Sequence, residues 1–307
     1  MKAAFFRRYG PPEVLEYGEQ PDPAPARGEV LVEIHAASVN AADWKQRAGQ
    51  YPAKVALPHI PGRDFSGVVA AVGEGARDFQ LGDAVFGVCE VPREGAYAEK
   101  IAIRQEIVTR LPAKLTHAQC AAVALAGLTA LISIEETLEL KKGETILVQG
   151  GAGGVAGFAI GLARHLGARV ITTASAKNHD YVKKLGADQV IDYHKQDFTK
   201  IVSGIDAVFD TVGGDVTERS FAVLRPGGRL ASVAVGGNAP PSPRADVTSL
   251  RPKVNRDRPH LERVGALVAQ GQVRLPDMVE YPLAGAADAH RVSEARHLRG
   301  KLVLKVR

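Results

Sequence analysis

Apolar residues keep different spacings in different parts of this 307-residue chain. From Met1 to about residue 115 they come in short alternating runs. Val30-Leu31-Val32-Glu33-Ile34-His35-Ala36 alternates apolar and polar positions, and Phe65 to Val72 is a second β-like run closed by the turn Gly73-Glu74-Gly75. Leu81-Gly82-Asp83 then leads into Ala84-Val85-Phe86-Gly87. Short strands punctuated by Gly and Pro predict a small barrel-like antiparallel domain. From Thr116 the spacing turns helical, through Ala118 to Leu125, Gly127-Leu128-Thr129-Ala130 and on to Leu140. Strands and helices alternate from Thr145 to about Val235, the pattern of a doubly wound parallel sheet. The tail, Arg299 to Val306, alternates again and is expected to return to the first domain as a terminal strand.

Within the alternating region, Ile146 to Val148 is an apolar run too short for a helix, as a strand buried on both faces would be. Gly151, Gly153 and Ala156 then spell G-x-G-x-x-A. A helical pattern follows, with Val155, Ala159, Leu162, Ala163 and Leu166 on one face and a stop at Gly167, and Val170 to Thr173 is the next strand. Val190 to Tyr193 and Asp206 to Asp210 read as the third and fourth strands. A helix over 216–225 is expected to stop at Pro226-Gly227-Gly228, before a fifth strand from Arg229 to Val235. Gly236 to Arg258 reads as a loop over a cleft or simply in solvent, and Leu261 to Ala269 as one more helix.

A glycine loop where a strand becomes a helix has a specific chemistry. Gly151 permits a tight turn, Gly153 lets backbone N–H groups approach a pyrophosphate, and Ala156 allows close helix–strand packing. The unpaired N–H groups and the positive end of the helix dipole then face the phosphates. The strand before, the helix after and the second strand supply the context that separates a dinucleotide site from a glycine-rich turn with only a packing role. An NAD site usually carries Asp or Glu about 20 residues beyond the first glycine. This chain has Thr172-Thr173-Ala174-Ser175-Ala176-Lys177 there. Hydroxyls and a Lys suit a 2′-phosphate that a carboxylate would repel, so NADP(H) is the expected cofactor.

Composition adds little beyond class. Apolar residues make up 45% and charged residues 24% of the chain, as in ordinary globular proteins. A net charge of +5 suits an anionic cofactor, without the concentrated basic face of a nucleic-acid binder. Two cysteines, Cys89 and Cys120, make neither a disulfide framework nor a cysteine-rich metal site and fit a reducing cytoplasm. The opening residues lack the apolar core of a signal peptide, and no unbroken apolar run approaches 18 residues, so no membrane span is expected.

Taken together, the ordered motifs resemble the medium-chain dehydrogenase/reductase superfamily, in its zinc-independent quinone oxidoreductase (zeta-crystallin-like) branch. They run from Ser38-Val39-Asn40-Ala41-Ala42-Asp43, Pro61-Gly62-Arg63-Asp64-Phe65-Ser66-Gly67 and Leu81-Gly82-Asp83 to Ala126-Gly127-Leu128-Thr129-Ala130. The series continues with Gly150 to Gly157, Leu185-Gly186-Ala187-Asp188, Asp210-Thr211-Val212-Gly213-Gly214, Leu224-Arg225-Pro226-Gly227-Gly228 and Gly300-Lys301-Leu302-Val303-Leu304. The resemblance implies an α/β protein. A GroES-like β-barrel-like catalytic domain would comprise 1–116 with 273–307, and a Rossmann domain 117–272, with substrate in the cleft between them. Zinc-dependent relatives place Cys where Asn40 falls and Gly-His-Glu where Gly62-Arg63-Asp64 falls, and they carry a four-cysteine lobe after the strand near Gly87. Here Cys89 stands alone, and His35 and His59 lack neighbouring ligands, so no zinc is expected.

The resemblance further implies hydride transfer from NADPH to a quinone, or to the C=C bond of an α,β-unsaturated ketone or aldehyde. Asn40 would bond the nicotinamide ribose or the substrate oxygen, or else merely cap helix 41–47. Thr129 would meet the nicotinamide, or else bond back within its helix. Gly151, Ala152, Gly153, Gly154 and Val155 would hold the pyrophosphate, and Ser175, Lys177 and Tyr193 the 2′-phosphate. Val235 and Gly236 would read the carboxamide. Asp43, Trp44 and Tyr51 fall on the segment that lines the family's cleft, where Trp44 either stacks on a flat acceptor or belongs to the core. Arg251 and Arg256 either close over the cofactor phosphates or stay in water. No dedicated acid or base is identified. A small-molecule acceptor, a homodimer formed through the edge of the Rossmann sheet, and no nucleic-acid or membrane partner complete the expectation. An enoyl-thioester reductase and a non-catalytic NADPH-binding protein are the rival readings.

Overall fold

The computed structural model describes residues 1–51, 54–234 and 237–307. In chain order its first strands are β1 (Lys2–Phe6), β2 (Leu15–Glu19), β3 (Glu29–Val39), β4 (Asp64–Val72), β5 (Ala84–Val88), β6 (Lys100–Arg104) and β7 (Val108–Arg110), with helix α1 (Ala41–Arg47) after β3. Helix α2 (His117–Leu131) leads to β8 (Thr145–Gln149), α3 (Gly154–His165), β9 (Arg169–Thr173), α4 (His179–Leu185), β10 (Gln189–Ile191) and β11 (Ile205–Asp210). Then come α5 (Asp215–Ser220), β12 (Leu224–Ser232), β13 (Thr248–Leu250), α6 (Arg258–Ala269), β14 (Met278–Pro282), α7 (Ala286–Glu294) and β15 (Lys301–Lys305). Two compact units result. One is Met1–Leu125 with Arg256–Ala269 and Asp277–Arg307; the other is Ala126–Asn255 with Gln270–Pro276.

The first unit is organised on β3. One edge of this strand pairs antiparallel with β4; the other pairs with β6 over its first half and with β15 over its last. Register shifts between Leu31 and Val32 and between Ile34 and Ala36 bend the strand, as an extra residue in a ladder does. The bend lets one strand serve three neighbours and curls the sheet. The chain's end does return here, with Leu302 opposite Val39 and Leu304 opposite Ala37. Val30, Val32, Ile34, Phe65, Val69, Val85, Leu302 and Leu304 make up its apolar interior. Helix α6 belongs to this unit, where Gly265 lets it approach Pro112 and Phe86.

The second unit is a six-stranded parallel sheet in the order β10-β9-β8-β11-β12-β13. Numbered from β8, that order is the 3-2-1-4-5-6 of the dinucleotide-binding fold, whose switch point lies between β8 and β11. Three local expectations need correction. Helix α5 ends at Ser220, and Pro226-Gly227-Gly228 lies inside β12, not at a helix stop. The strand bulges past β11 there, between the pairs Ile205–Leu224 and Ala207–Arg229, which absorbs a proline that a regular ladder excludes. The segment read as a loop contains β13, paired parallel to β12. Among the described residues one helix, His117–Thr137, is long and apolar enough by length and composition to cross a membrane. It escapes a search for unbroken apolar runs because Gln119, Thr129 and Ser133 interrupt it, and 72% of its most apolar window is buried in the protein.

Candidate functional site

The glycine loop follows β8 at the switch point. Its shape is fixed from below by side chains of β9 and β8. Gly151 N–H donates to the Thr173 carbonyl at 3.0 Å, and Gly150 N–H donates to Thr173 Oγ1 at 3.1 Å. Thr173 Oγ1 in turn donates to Gln149 Oε1 at 2.7 Å, and Thr172 Oγ1 donates to the Val148 carbonyl at 2.7 Å. Both threonines are buried, so their hydroxyls hold the loop and are not offered to a 2′-phosphate, a correction to the sequence reading.

The two glycines are glycine for different reasons. A Cβ on Gly151 would run into Thr172 Oγ1, so the fold itself demands glycine. Gly153 caps α3 with φ −75° and ψ 160°, backbone that any residue adopts. A Cβ there would meet nothing nearer than the Gly150 carbonyl oxygen at 3.6 Å. Neither the backbone nor the packing requires glycine at 153; a ligand lying against the backbone would. With no side chain at 153 and no acidic residue in the first turn, the N–H groups that open α3 at Gly154 and Val155, beside Ala152, have no side-chain cap among the described residues. That is the donor set a pyrophosphate takes.

Past β9, Ser175 is buried with its Oγ accepting from Asn178 Nδ2 at 3.3 Å, whereas Lys177 is exposed and forms no ion pair among the described residues. Tyr193 is 46% exposed, with the His194 ring 4.3 Å away. Val235 and Gly236, read as carboxamide contacts, lie outside the described residues. Thr129 is half-buried in α2, and its carbonyl accepts from the Ser133 hydroxyl at 2.6 Å. Arg251 Nη1 donates to the Ser232 carbonyl at 3.2 Å, at the end of β12. Asp210, at the end of β11, was not among the expected site residues. Its carboxylate accepts from the N–H groups of Val212 at 2.8 Å and Gly213 at 3.1 Å and from the Ser232 hydroxyl at 3.1 Å, shaping the turn at the carboxyl edge of the sheet.

In the first unit a buried ionic network surrounds Asn40, which is the N-cap of α1. Asn40 N–H donates to Asp43 Oδ2 at 2.9 Å, and the Tyr97 hydroxyl donates to the same oxygen at 3.0 Å. Arg63 Nε lies 3.8 Å from Asp43 Oδ1, and Arg63 Nη2 lies 3.2 Å from Glu94 Oε1. Arg63 Nη1 donates to the Tyr51 hydroxyl at 3.1 Å, with the guanidinium 4.4 Å from the Tyr51 ring centroid. Asp64 Oδ1 accepts from the Ser38 hydroxyl at 2.8 Å and from Asn40 Nδ2 at 3.0 Å, and Asp64 Oδ2 accepts from Leu125 N–H at 3.2 Å. Arg256 belongs to this unit, where burial and then the neighbouring Arg63 lower its pKa.

Burial dominates the electrostatics of this network. It pushes the Asp43 carboxyl up to about 7, against the pull of Arg63. It raises Asp64 as well, and Tyr97 well above the usual phenol range. Asp43 has no exposed surface, so it orders the backbone at Asn40 and the hydroxyl of Tyr97 and offers a ligand nothing directly. Trp44 is 3% exposed, which makes it a core residue and leaves no ring face for stacking. Of the expected substrate-lining residues, only Tyr51 presents a partly exposed side chain. Arg63, Asp64, Glu94, Tyr97 and Lys301, which complete this network, were not singled out from the sequence; the available signal was a charge at the start of two apolar strand-like runs, at Asp64 and Lys301.

A mostly antiparallel, GroES-like sheet that takes back the chain's last strand, together with a parallel sheet carrying a phosphate-ready glycine loop, defines a nucleotide-dependent dehydrogenase/reductase. Comparison with known proteins agrees. Residues 26–113 match the alcohol dehydrogenase GroES-like domain family, and residues 185–304 match the family described as zinc-binding dehydrogenase. The chain is 32% identical to the NADPH-dependent alkenal/one oxidoreductase of Arabidopsis thaliana chloroplasts, over 99% of this chain and 79% of that protein. The structure of the quinone oxidoreductase from Coxiella burnetii superposes with a TM-score of 0.92 at 36% identity, covering 100% of this chain and 99% of that one. Escherichia coli quinone oxidoreductase, solved in complex with NADPH, gives a TM-score of 0.91 at 30% identity, with both chains fully covered. The chain belongs to the medium-chain dehydrogenase/reductase superfamily, in its zinc-independent quinone oxidoreductase branch. Among the described residues no three His, Cys, Asp or Glu side chains gather to hold a metal.

Proposed function

We propose that the protein is an NADPH-dependent reductase that delivers hydride to a quinone or to the C=C bond of an α,β-unsaturated ketone or aldehyde. Gly153 carries this reading: neither its φ and ψ nor its packing excludes a side chain, and a ligand lying against its backbone would, at the opening of a helix and at the switch point of the sheet. When bound, NADPH supplies the hydride, and the protein's task is binding and orientation. The N–H groups of Ala152, Gly154 and Val155 would hold the pyrophosphate; that of Gly153, expected to join them, already donates to the Gly150 carbonyl at 3.0 Å. Lys177, exposed and without an ion-pair partner among the described residues, and Ser175 would face the 2′-phosphate, with Tyr193 beside them; no carboxylate ends β9 to repel it. Asn40 and Thr129 would position the nicotinamide end, and Tyr51, held by Arg63, would border the acceptor. The relatives, an alkenal/one oxidoreductase and quinone oxidoreductases, support the two acceptor classes. A cytoplasmic homodimer completes the reading; both cysteines are free and buried, as a reducing compartment permits.

Turnover of quinones, enones and enoyl thioesters, each with NADPH and with NADH, tests the proposal. The expected result is NADPH-dependent reduction of quinones or free enones. Turnover confined to thioesters would replace it with the enoyl-thioester reading, and tight NADPH binding without turnover of any acceptor would make the protein a nucleotide binder.

A further inference from the structure

Lys301 opens β15 with its side chain only 4% exposed. A buried ion pair is weak evidence of a stabilising role, because well-packed apolar residues in place of both partners are often as stable or more so. Lys301 Nζ is aimed at two oxygens, the Val39 carbonyl at 3.0 Å and Asn40 Oδ1 at 2.8 Å. On the other end of the same amide, Asn40 Nδ2 donates to Asp64 Oδ1 at 3.0 Å and to the Ser38 carbonyl at 3.4 Å. Asp64 is itself held by Ser38 and by the Leu125 N–H. The Asn40 amide therefore lies between a cation at its oxygen and an anion at its nitrogen. Turning it over would set NH₂ against ammonium and carbonyl against carboxylate. Both side-chain N–H groups already have acceptors, so what Asn40 has to offer a ligand is its oxygen.

We propose that Lys301, with Asp64 opposite it, is a positioning residue that locks Asn40 as a hydrogen-bond acceptor for a hydroxyl of the bound nucleotide. The inference rests on the proposed role of Asn40 as a ligand contact and goes beyond it. Of the two groups Asn40 could meet, it selects the ribose hydroxyl, which donates, over a substrate oxyanion, which needs a donor.

The test is a double-mutant cycle read on the NADPH dissociation constant of the full-length protein by calorimetry, with melting temperature as the fold control. Lys301→Met should weaken NADPH roughly 5- to 20-fold in the native background and less than about 2-fold beside Asn40→Ala. Lys301→Arg, which keeps a cation at the amide oxygen, should recover most of the loss. If Lys301→Met does not fold, the same cycle is run with Lys301→Gln, which fills the space with a neutral polar group. Equal losses in both backgrounds would overturn the proposal while leaving Asn40 a ligand contact. An Asn40→Ala protein that binds NADPH normally but has a raised KM for the acceptor would show Asn40 to be a substrate contact and overturn it too. Unchanged binding and unchanged kinetics in Asn40→Ala would remove the underlying reading along with it.

Discussion

Replacing each loop glycine by alanine separates what the fold needs from what the ligand needs. At Gly153 the backbone already suits alanine, and the nearest atom to the new methyl would be 3.6 Å away. Reduced freedom of the unfolded chain favours the variant by about 0.4–1 kcal/mol, and alanine's poorer standing at an N-cap costs a similar amount. Gly153→Ala should therefore melt within a few degrees of the native protein. The methyl would stand where the pyrophosphate approaches the backbone. Losing one or two charge-assisted hydrogen bonds of about 1.5–3 kcal/mol each should weaken NADPH roughly 10- to 100-fold. At Gly151 the order reverses. The methyl would collide with Thr172 Oγ1, which is pinned to the Val148 carbonyl at 2.7 Å, and would sit 3.0 Å from Ile160 Cδ1. Overpacking of that kind costs about 1–3 kcal/mol, or about 2–4 °C of melting temperature per kcal/mol in a chain of this size. Calorimetric titration and thermal melts of the two variants read both numbers. A Gly153→Ala protein that keeps its fold and binds NADPH as tightly as the native one would refute the reasoning.

Lys177→Glu should weaken NADPH roughly 10- to 100-fold and NADH by less than about 3-fold, since only the former carries a 2′-phosphate; equal losses in paired titrations would remove the assignment. Asp43 titrates near 7 when folded, against 3.8 for an unperturbed aspartate, so the folded state binds the extra proton between those values, and stability from this group is present below about 4 and lost as pH rises through 7. His290, which burial holds neutral down to about 3, gives a slope of the opposite sign, so the contribution is read as a difference: Asp43→Asn should gain stability relative to the native protein from pH 5 to pH 8, and a flat or falling difference in denaturant melts would contradict it. Prolonged treatment with a zinc chelator should leave reductase activity unchanged, and loss of activity restored by added zinc would contradict the metal-free reading.

The dinucleotide fold was legible because its signals are local: a strand, a glycine turn and a helix follow one another within Thr145–His165. The return of the last strand to the first unit was legible too, since Arg299 to Val306 reads as a strand and Gly300 to Leu304 is among the motifs that carry the family resemblance. The hydroxyls of Thr172 and Thr173 were misread because a sequence places them at the end of β9 without saying whether they face the ligand or the loop beneath it. Pro226-Gly227-Gly228 looked like a helix stop because a bulge and a stop use the same residues. The network of Asp43, Asp64, Arg63, Tyr97 and Lys301 draws on stretches far apart in the chain, and only the sheet of the first unit brings them together. Burial, not residue type, sets their chemistry, and burial of a charge is what hydrophobic patterning cannot show.

The central claim is that this chain orients a phosphorylated nicotinamide so that its hydride reaches an electron-poor carbon or a quinone. Reduction of an α,β-unsaturated ketone with NADPH deuterated at C4 of the dihydronicotinamide, followed by mass and NMR analysis of the product, tests it most directly. One deuterium should appear on the β-carbon of the saturated ketone, from one face of the nicotinamide only. A saturated product with no deuterium at that carbon would contradict the claim, as would the absence of both enone and quinone reduction by a folded, NADPH-saturated protein.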